Sequence, residues 1–216
     1  MNTATTLQLT ELFYSLQGET RTVGWPTVFI RLTGCPLRCR YCDTRYAYHG
    51  GEAVSLADIM ARVKQYNAHH VTVTGGEPLA QPECLTLLTS LCDAGYEVSL
   101  ETSGAVSIEG VDPRVSIVMD LKTPASGEEP SNLLGNLPLL QAKDQLKFVI
   151  CDRNDYQWAR DMLEAYELAS RCEVLFSPSY EQLDVRQLAD WVLADQLPVR
   201  MQLQLHKILW GNEPGR

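Results

Sequence analysis

Apolar and polar residues follow two periods along this chain, and the switches between them mark its elements. From Leu7 to Leu16 the two classes alternate at first and the run ends in Gln17-Gly18-Glu19, the pattern of a strand leaving into a loop. Trp25-Pro26 opens a second strand over 27–33, in which Val28, Ile30 and Leu32 share one face while Phe29, Arg31 and Thr33 share the other. At Ser55-Leu56-Ala57-Asp58 the sequence has the form of a capping box, and Leu56, Ile59, Met60, Val63 and Tyr66 then recur at helical spacing, predicting a helix over 55–67. A strand over 70–74 and the turn Gly75-Gly76-Glu77-Pro78 come next. A helix follows, with Pro82 in its first turn, Gly95 at its end, and Cys84, Leu85, Leu88, Leu91 and Cys92 on its apolar face. Further strands are expected over 96–101, 115–120, 145–150, 172–176 and 199–205, and helices over 155–170 and 184–194. The stretch 125–143, rich in Gly, Pro, Asn and Ser, reads as an irregular covering segment.

Strands alternating with helices imply right-handed βαβ units and a parallel sheet. At 216 residues the chain fits one domain spanning 1–216 and is short for a complete eight-unit barrel. The expected fold class is therefore α/β, an incomplete TIM-like βα barrel of about six parallel strands. Polar residues at every second strand position, such as Arg31, Glu97, Ser99, Glu101, Lys147, Arg200, Gln202 and Gln204, favour a barrel with a polar interior. Strands buried on both faces would read as nearly continuous apolar runs.

The formal net charge of −9 argues against nucleic acid or an anionic membrane as partner. No apolar run approaches the length of a membrane span, and Met1 to Thr10 lacks a basic region followed by an apolar core, so a cytoplasmic protein is expected. Seven cysteines in that compartment point to metal or redox chemistry rather than disulfides.

Three of them form Cys35-Pro36-Leu37-Arg38-Cys39-Arg40-Tyr41-Cys42, a C-x3-C-x2-C loop just after the second strand. A closed zinc site takes four ligands, and no fourth Cys lies near. Three thiolates around four irons leave one iron free for a small molecule. Arg38, Arg40 and Arg45 reverse the chain's charge at this loop, which suits an anionic ligand or an electron-rich centre as well as three solvated side chains. The loops after the strands, holding residues 35–44, 74–78, 102–104, 122–124 and 177–178, would share one rim of a parallel barrel, where such folds place their chemistry.

In this spacing, with Tyr41 before the last Cys and Gly75-Gly76-Glu77-Pro78 downstream, the chain resembles the radical S-adenosylmethionine enzymes. The resemblance implies that Cys35, Cys39 and Cys42 hold a 4Fe-4S cluster and that S-adenosylmethionine chelates the fourth iron. It also implies that the reduced cluster splits the cofactor's sulfonium into methionine and a hydrogen-abstracting 5'-deoxyadenosyl radical. Tyr41, Gly75, Gly76, Glu77, Ser103, Lys122 and Ser177 would surround the cofactor. The segments Glu11 to Glu19, Val28 to Cys35, Cys42-Asp43-Thr44, Glu101 to Gly104 and Gln202 to Lys207 are similar to one branch of these enzymes. That branch converts 6-carboxy-5,6,7,8-tetrahydropterin to 7-carboxy-7-deazaguanine with loss of ammonia, in the route to queuosine, using Mg2+ and regenerating S-adenosylmethionine.

The resemblance then implies a substrate site of Leu16, Gln17, Gly18, Glu19, Arg31, Thr74 and His206, with Thr44 as a ligand of Mg2+. The chemistry agrees, since Gln17, Gly18 and Glu19 can read the donor and acceptor edge of a pterin while Arg31 pairs with its carboxylate in a fork. It further implies a homodimer and a flavodoxin-type electron donor. Asp120-Leu121-Lys122, Phe176-Ser177-Pro178 and the chain end from Leu209 depart from the pattern of better-known members. The rival readings are an activating subunit that generates a glycyl radical on a partner protein, and a non-catalytic metal-binding module.

Overall fold

The computed structural model describes residues 5–213 and 215–216. The first four residues of the Met1 to Thr10 stretch, and Pro214 near the chain end, lie outside the described residues. The strands are β1 (Thr6–Leu16), β2 (Pro26–Leu32), β3 (Glu52–Ser55), β4 (His70–Gly75), β5 (Glu97–Thr102), β6 (Ser116–Asp120), β7 (Gln145–Ile150), β8 (Glu173–Pro178) and β9 (Arg200–Met201). They form one sheet in the order β3-β1-β2-β4-β5-β6-β7-β8-β9. Every neighbouring pair from β2 to β9 is parallel. β1 runs antiparallel to both β2 and β3. The parallel part is thus one short strand longer than about six, and a β1–β3 arm extends its first edge.

The helices are α1 (Leu56–Val63), α2 (Cys84–Asp93), α3 (Arg153–Ala165), α4 (Leu168–Arg171), α5 (Val185–Ala194) and α6 (Leu205–Trp210). The outward residues of the parallel strands, among them Ile30, Val73, Leu100, Met119, Phe148 and Phe176, are fully buried with Ile59, Leu88, Tyr156 and Leu188 from the helices. Burying each large apolar side chain stabilises the fold by about 1.5–3 kcal/mol, so this outer layer is what holds the barrel wall in shape. The inward residues are polar and bond across strands, as where the Thr72 and Ser99 hydroxyls meet at 2.8 Å.

Several elements differ from the expectations. The capping box forms, with Ser55 Oγ accepting from Asp58 N at 3.1 Å, but α1 stops at Val63. β3, only four residues long, gives too short an alternation to be read. A 3₁₀ turn over Pro78–Ala80 precedes α2, whose buried face includes Leu87 while Leu85 and Cys92 are only partly covered. The expected helix over 155–170 is two helices, because Glu167 takes a left-handed conformation at φ 49°. The expected strand over 199–205 ends at Met201. Gln202 turns its amide away to hold both backbone groups of Thr20, accepting from its N–H at 2.6 Å and donating to its carbonyl at 2.8 Å. Residues 205–210 then coil into α6, so His206 and Lys207 sit in a helical turn rather than at a strand end.

The segment 125–143 contains 3₁₀ turns over Pro124–Ser126, Glu129–Ser131 and Leu134–Leu139. Buried Asn136 pins it down by donating to the carbonyls of Gly104 and Val106 and accepting from Ile108 N. Its other end meets the cysteine loop, where Arg40 N donates to the Ser126 carbonyl at 2.9 Å.

Candidate active site

Where the parallel strands end, their loops enclose a cavity of about 580 Å³ whose wall includes Cys35, Cys39 and Cys42. The root of the cysteine loop is clamped by backbone. Gly76 N donates to the Leu32 carbonyl at 3.1 Å and Glu77 N to the Gly34 carbonyl at 2.7 Å. A Cβ at Gly75 would lie 2.2 Å from the Leu32 carbonyl oxygen, and one at Gly76 would lie 2.2 Å from the Gly34 carbonyl oxygen and 2.7 Å from Cys35 Cβ. The two glycines therefore permit a close approach to the cysteine loop itself, not only to a ligand.

Glu77 is fully buried and does not reach the cavity wall. Its carboxylate accepts from Thr102 Oγ1, Ser103 N, Ser103 Oγ and Leu79 N. It ties the turn after β4 to the turn after β5, leaving Gly75, Gly76 and Ser103 at the wall. Ser177 likewise lies behind the wall, buried with its hydroxyl unpartnered. Tyr41 and Lys122 line the cavity, with Lys122 Nζ 5.9 Å from the Tyr41 ring centroid.

The donor set fits an iron–sulfur cluster. Among the described residues no three His, Cys, Asp or Glu side chains converge on one metal ion, as a zinc site would require. Three thiols spread along one wall suit a polynuclear centre in which each thiolate takes its own iron. Burial pushes the Cys35 thiol up and the Cys39 thiol up to about 11, so metal must displace protons to bind there. The buried Tyr41 hydroxyl and Asp120 Oδ1, both on residues of the wall, are unpartnered in the same region. Buried polar atoms without partners mark places where a ligand completes the hydrogen bonding.

From the cluster side a ladder of alternating charge runs across the cavity. Lys122 Nζ lies 3.1 Å from Asp120 Oδ2, Lys147 Nζ lies 3.6 Å from the same oxygen, and Lys147 Nζ lies 2.7 Å from Glu19 Oε2. Gln204 Nε2 donates to Glu19 Oε1 at 2.8 Å. Burial opposes both charges of the central pair, yet Glu19, Asp120 and Glu101 hold Lys147 above its ordinary range, and Lys147 and Gln204 hold Glu19 below its own. Glu101 goes the other way, raised first by burial and then by the nearby Glu19 charge.

The remaining expected substrate residues meet on this wall. Gln17, buried, donates to Thr72 Oγ1 at 3.1 Å and Glu101 Oε1 at 3.3 Å, and Thr74 Oγ1 donates to Glu101 Oε2 at 3.0 Å. Leu16 and Gly18 line the cavity beside them. At Gly18 a Cβ would stand 2.1 Å from His206 Nδ1, and its carbonyl accepts from Leu205 N at 2.8 Å, so α6 closes directly onto this loop. Arg31 donates from Nε to Glu11 Oε1 at 2.6 Å, and Tyr46 donates its hydroxyl to the same oxygen at 2.8 Å. The guanidinium sits 5.7 Å from the Phe13 ring centroid and 5.9 Å from that of Tyr46. Its Nη atoms make no hydrogen bond among the described residues, leaving the fork free for an anion. Thr44 donates to Asp43 Oδ1 at 2.8 Å, and Lys207 Nζ lies 3.0 Å from Asp43 Oδ2.

The sequence placed Glu101, Lys147 and Gln204 on the polar interior and Asp43 beside Thr44 without naming a partner for any of them, and it gave no role to Glu11, Tyr46 or Asp120 at this site. The signal for Glu101, Lys147 and Gln204 was their alternation with apolar neighbours. Glu11 and Tyr46 carried none, since only the antiparallel register of β1 and β2, with Glu11 opposite Arg31, brings them together.

The sequence profile of the Radical SAM superfamily matches residues 29–114. A 7-carboxy-7-deazaguanine synthase from Chlorobaculum tepidum is 44% identical over 214 residues, covering 98% of this chain and 97% of that protein. One from Koribacter versatilis is 40% identical, covering 96% and 98%. The crystal structure of QueE from Escherichia coli superposes with a TM-score of 0.77 at 25% identity, covering 93% of this chain and 95% of that one. SuiB from Streptococcus suis, at 13% identity and a TM-score of 0.58 over 83% of this chain and 48% of that one, shares the fold alone. Full-length similarity at this level, on a barrel whose rim gathers the three thiols, places the chain in the 7-carboxy-7-deazaguanine synthase family of the Radical SAM superfamily.

Proposed function

We propose that this chain converts 6-carboxy-5,6,7,8-tetrahydropterin to 7-carboxy-7-deazaguanine with release of ammonia, and that it does so in the cytoplasm as a homodimer. The observation that carries this reading is one cavity holding both the three thiols and, across it, the Lys122–Asp120–Lys147–Glu19 ladder with the free fork of Arg31. Bound together, the 4Fe-4S cluster and S-adenosylmethionine supply one-electron chemistry able to remove a hydrogen atom from the substrate.

The chain's own residues do the rest. Arg31, braced through Nε by Glu11, presents its Nη edge to the pterin carboxylate. Glu19, held ionised by Lys147, accepts hydrogen bonds from the amino-pyrimidine edge, while Gln17 and Thr74 orient Glu101 on the same wall. Glu101, unlike Glu19, is held above its ordinary range, by burial and then by the Glu19 charge, which suits it to hold a proton near the departing amine. Lys122, Tyr41, Gly75, Gly76 and Ser103 line the cofactor side, with Glu77 acting through the turns it fastens and Ser177 offering its unpartnered hydroxyl from behind. His206 and Leu205 close the pocket against Gly18. Asp43 and Thr44 offer oxygen ligands to Mg2+, which binds through one or two such groups and keeps its waters. A flavodoxin-type protein supplies the electron.

The test is anaerobic reconstitution followed by incubation with reductant, S-adenosylmethionine, Mg2+ and 6-carboxytetrahydropterin. A deazapurine product and equimolar ammonia are expected by mass spectrometry and ammonia assay. S-adenosylmethionine cleavage without that product would sink the substrate assignment while leaving the radical chemistry in place.

A further inference from the structure

Arg38, Arg40 and Arg45 lie within eight residues of one another and are exposed, on the loop that carries the three cysteines. Arginines elsewhere, Arg62, Arg114 and Arg200 among them, sit in ion pairs with carboxylates. These three have no carboxylate partner among the described residues. Arg38 donates from Nη1 to the carbonyls of Cys35 and Leu37, and Arg45 from Nη2 to the carbonyl of Arg40. These three bonds fix the loop without neutralising it. Glu128, the acidic side chain that touches the patch, is engaged by Arg38 N at 2.6 Å and by Ser131 Oγ at 3.0 Å.

Exposure alternates along this stretch, with Arg38 and Arg40 exposed and Cys39 buried between them at 8%. Arg40 reaches the cavity wall as Cys39 does, whereas the exposed side chains of Arg38 and Arg45 lie outside it. On a protein of net charge −9, such a patch stands out as a local positive field, which steers encounters with acidic surfaces.

We propose that this outer face of the cysteine loop is the docking surface for an acidic one-electron carrier of the flavodoxin type. The inference rests on the radical chemistry proposed above and says where its electron enters. One electron leaves the carrier's flavin hydroquinone, which becomes the semiquinone, and reduces the oxidised cluster held by the loop. No bond is made or broken in that transfer. Arg38 and Arg45, exposed and outside the cavity wall, place the carrier beside the loop that bears the three thiols, so that docking leaves the substrate site undisturbed.

The experiment compares wild type with the double variant Arg38→Gln and Arg45→Gln. Neither residue lines the cavity, and glutamine keeps an N–H donor for the loop carbonyls. S-adenosylmethionine cleavage is driven either by flavodoxin hydroquinone or by dithionite, which is small and needs no docking surface. Binding of oxidised flavodoxin is followed separately through its flavin fluorescence.

The variant should need about tenfold more flavodoxin for half-maximal rate and bind it correspondingly more weakly. Its dithionite-driven rate and the cluster midpoint potential, from an EPR-monitored titration, should match wild type. Raising salt should bring the flavodoxin-driven wild type toward the variant without affecting the dithionite rate. Unchanged flavodoxin affinity overturns the proposal. So does a shifted potential with both rates falling together, which would make the arginines tuners of the cluster. Failure of the wild type to cleave S-adenosylmethionine even with dithionite overturns the radical reading itself.

Discussion

Arg31 was legible in the sequence as a residue on the polar face of its strand, but its pairing was not. Glu11 lies twenty residues upstream and becomes its partner only through the β1–β2 register, where Glu11 Oε1 takes both the Arg31 Nε and the Tyr46 hydroxyl. Without that carboxylate the guanidinium is free to swing. Glu11→Gln is therefore expected to weaken binding of 6-carboxypterin about tenfold, the scale of one charge-assisted hydrogen bond, and to leave unsubstituted pterin unaffected. Fluorescence titration of both ligands checks this, and equal losses would mean a merely structural role. Glu101 gives a pH prediction. Its carboxyl is raised on folding, so the folded chain binds its proton more tightly than the unfolded chain does. The stability tied to that proton is fully present below the ordinary carboxylate pKa and is lost as pH rises through the folded value. Glu101→Gln, which cannot ionise, should raise the urea midpoint at pH 7, with a gain that shrinks toward pH 4. Urea melts across that range would show a gain independent of pH if the burial of this group were unimportant.

Among the elements, the two glycine-bearing turns have separable jobs. Gly76 packs on the root of the cysteine loop and Gly18 packs on His206 of α6. Gly76→Ala drives a Cβ into backbone that cannot yield, an overpacking cost of about 1–3 kcal/mol, and should lower iron retention after reconstitution. Gly18→Ala meets a side chain instead. It should push α6 away and weaken pterin binding while iron content stays at the wild-type level. Iron and sulfide analysis beside a pterin titration separates the two, and loss of iron in both variants would contradict this division. The expected helix over 155–170 and strand over 199–205 both ran too long for one reason. Periodicity reports which residues are apolar, whereas the ends were set by Glu167 entering the left-handed region and by Gln202 bonding the backbone of Thr20.

At the scale of the whole molecule, the seven cysteines fall into different environments. Cys84 is completely buried in the outer core, whereas Cys35, Cys39 and Cys42 line the cavity. Cys39→Ala should abolish the brown chromophore on reconstitution. Cys84→Ala should keep it and destabilise the fold by about 1 kcal/mol, the cost of a small buried cavity. Ultraviolet–visible spectra together with thermal melts test both, and loss of the chromophore in Cys84→Ala would reverse the assignment.

The sequence by itself determined what depends on neighbours along the chain. Side-chain period made the strands and helices legible, the α1 capping box is local, and three thiols seven residues apart end to end must share one loop wherever the fold puts it. Strand alternation also announced a polar interior. Only the tertiary structure decided what depends on residues distant in sequence. It drew Lys147 and Glu19 to 2.7 Å across 128 positions, turned Glu77 from the cavity wall into a brace between two turns, and brought His206 against Gly18. A buried charge is stable only beside its complement, and which complement it meets is a matter of strand order and register, information that no single stretch of chain contains.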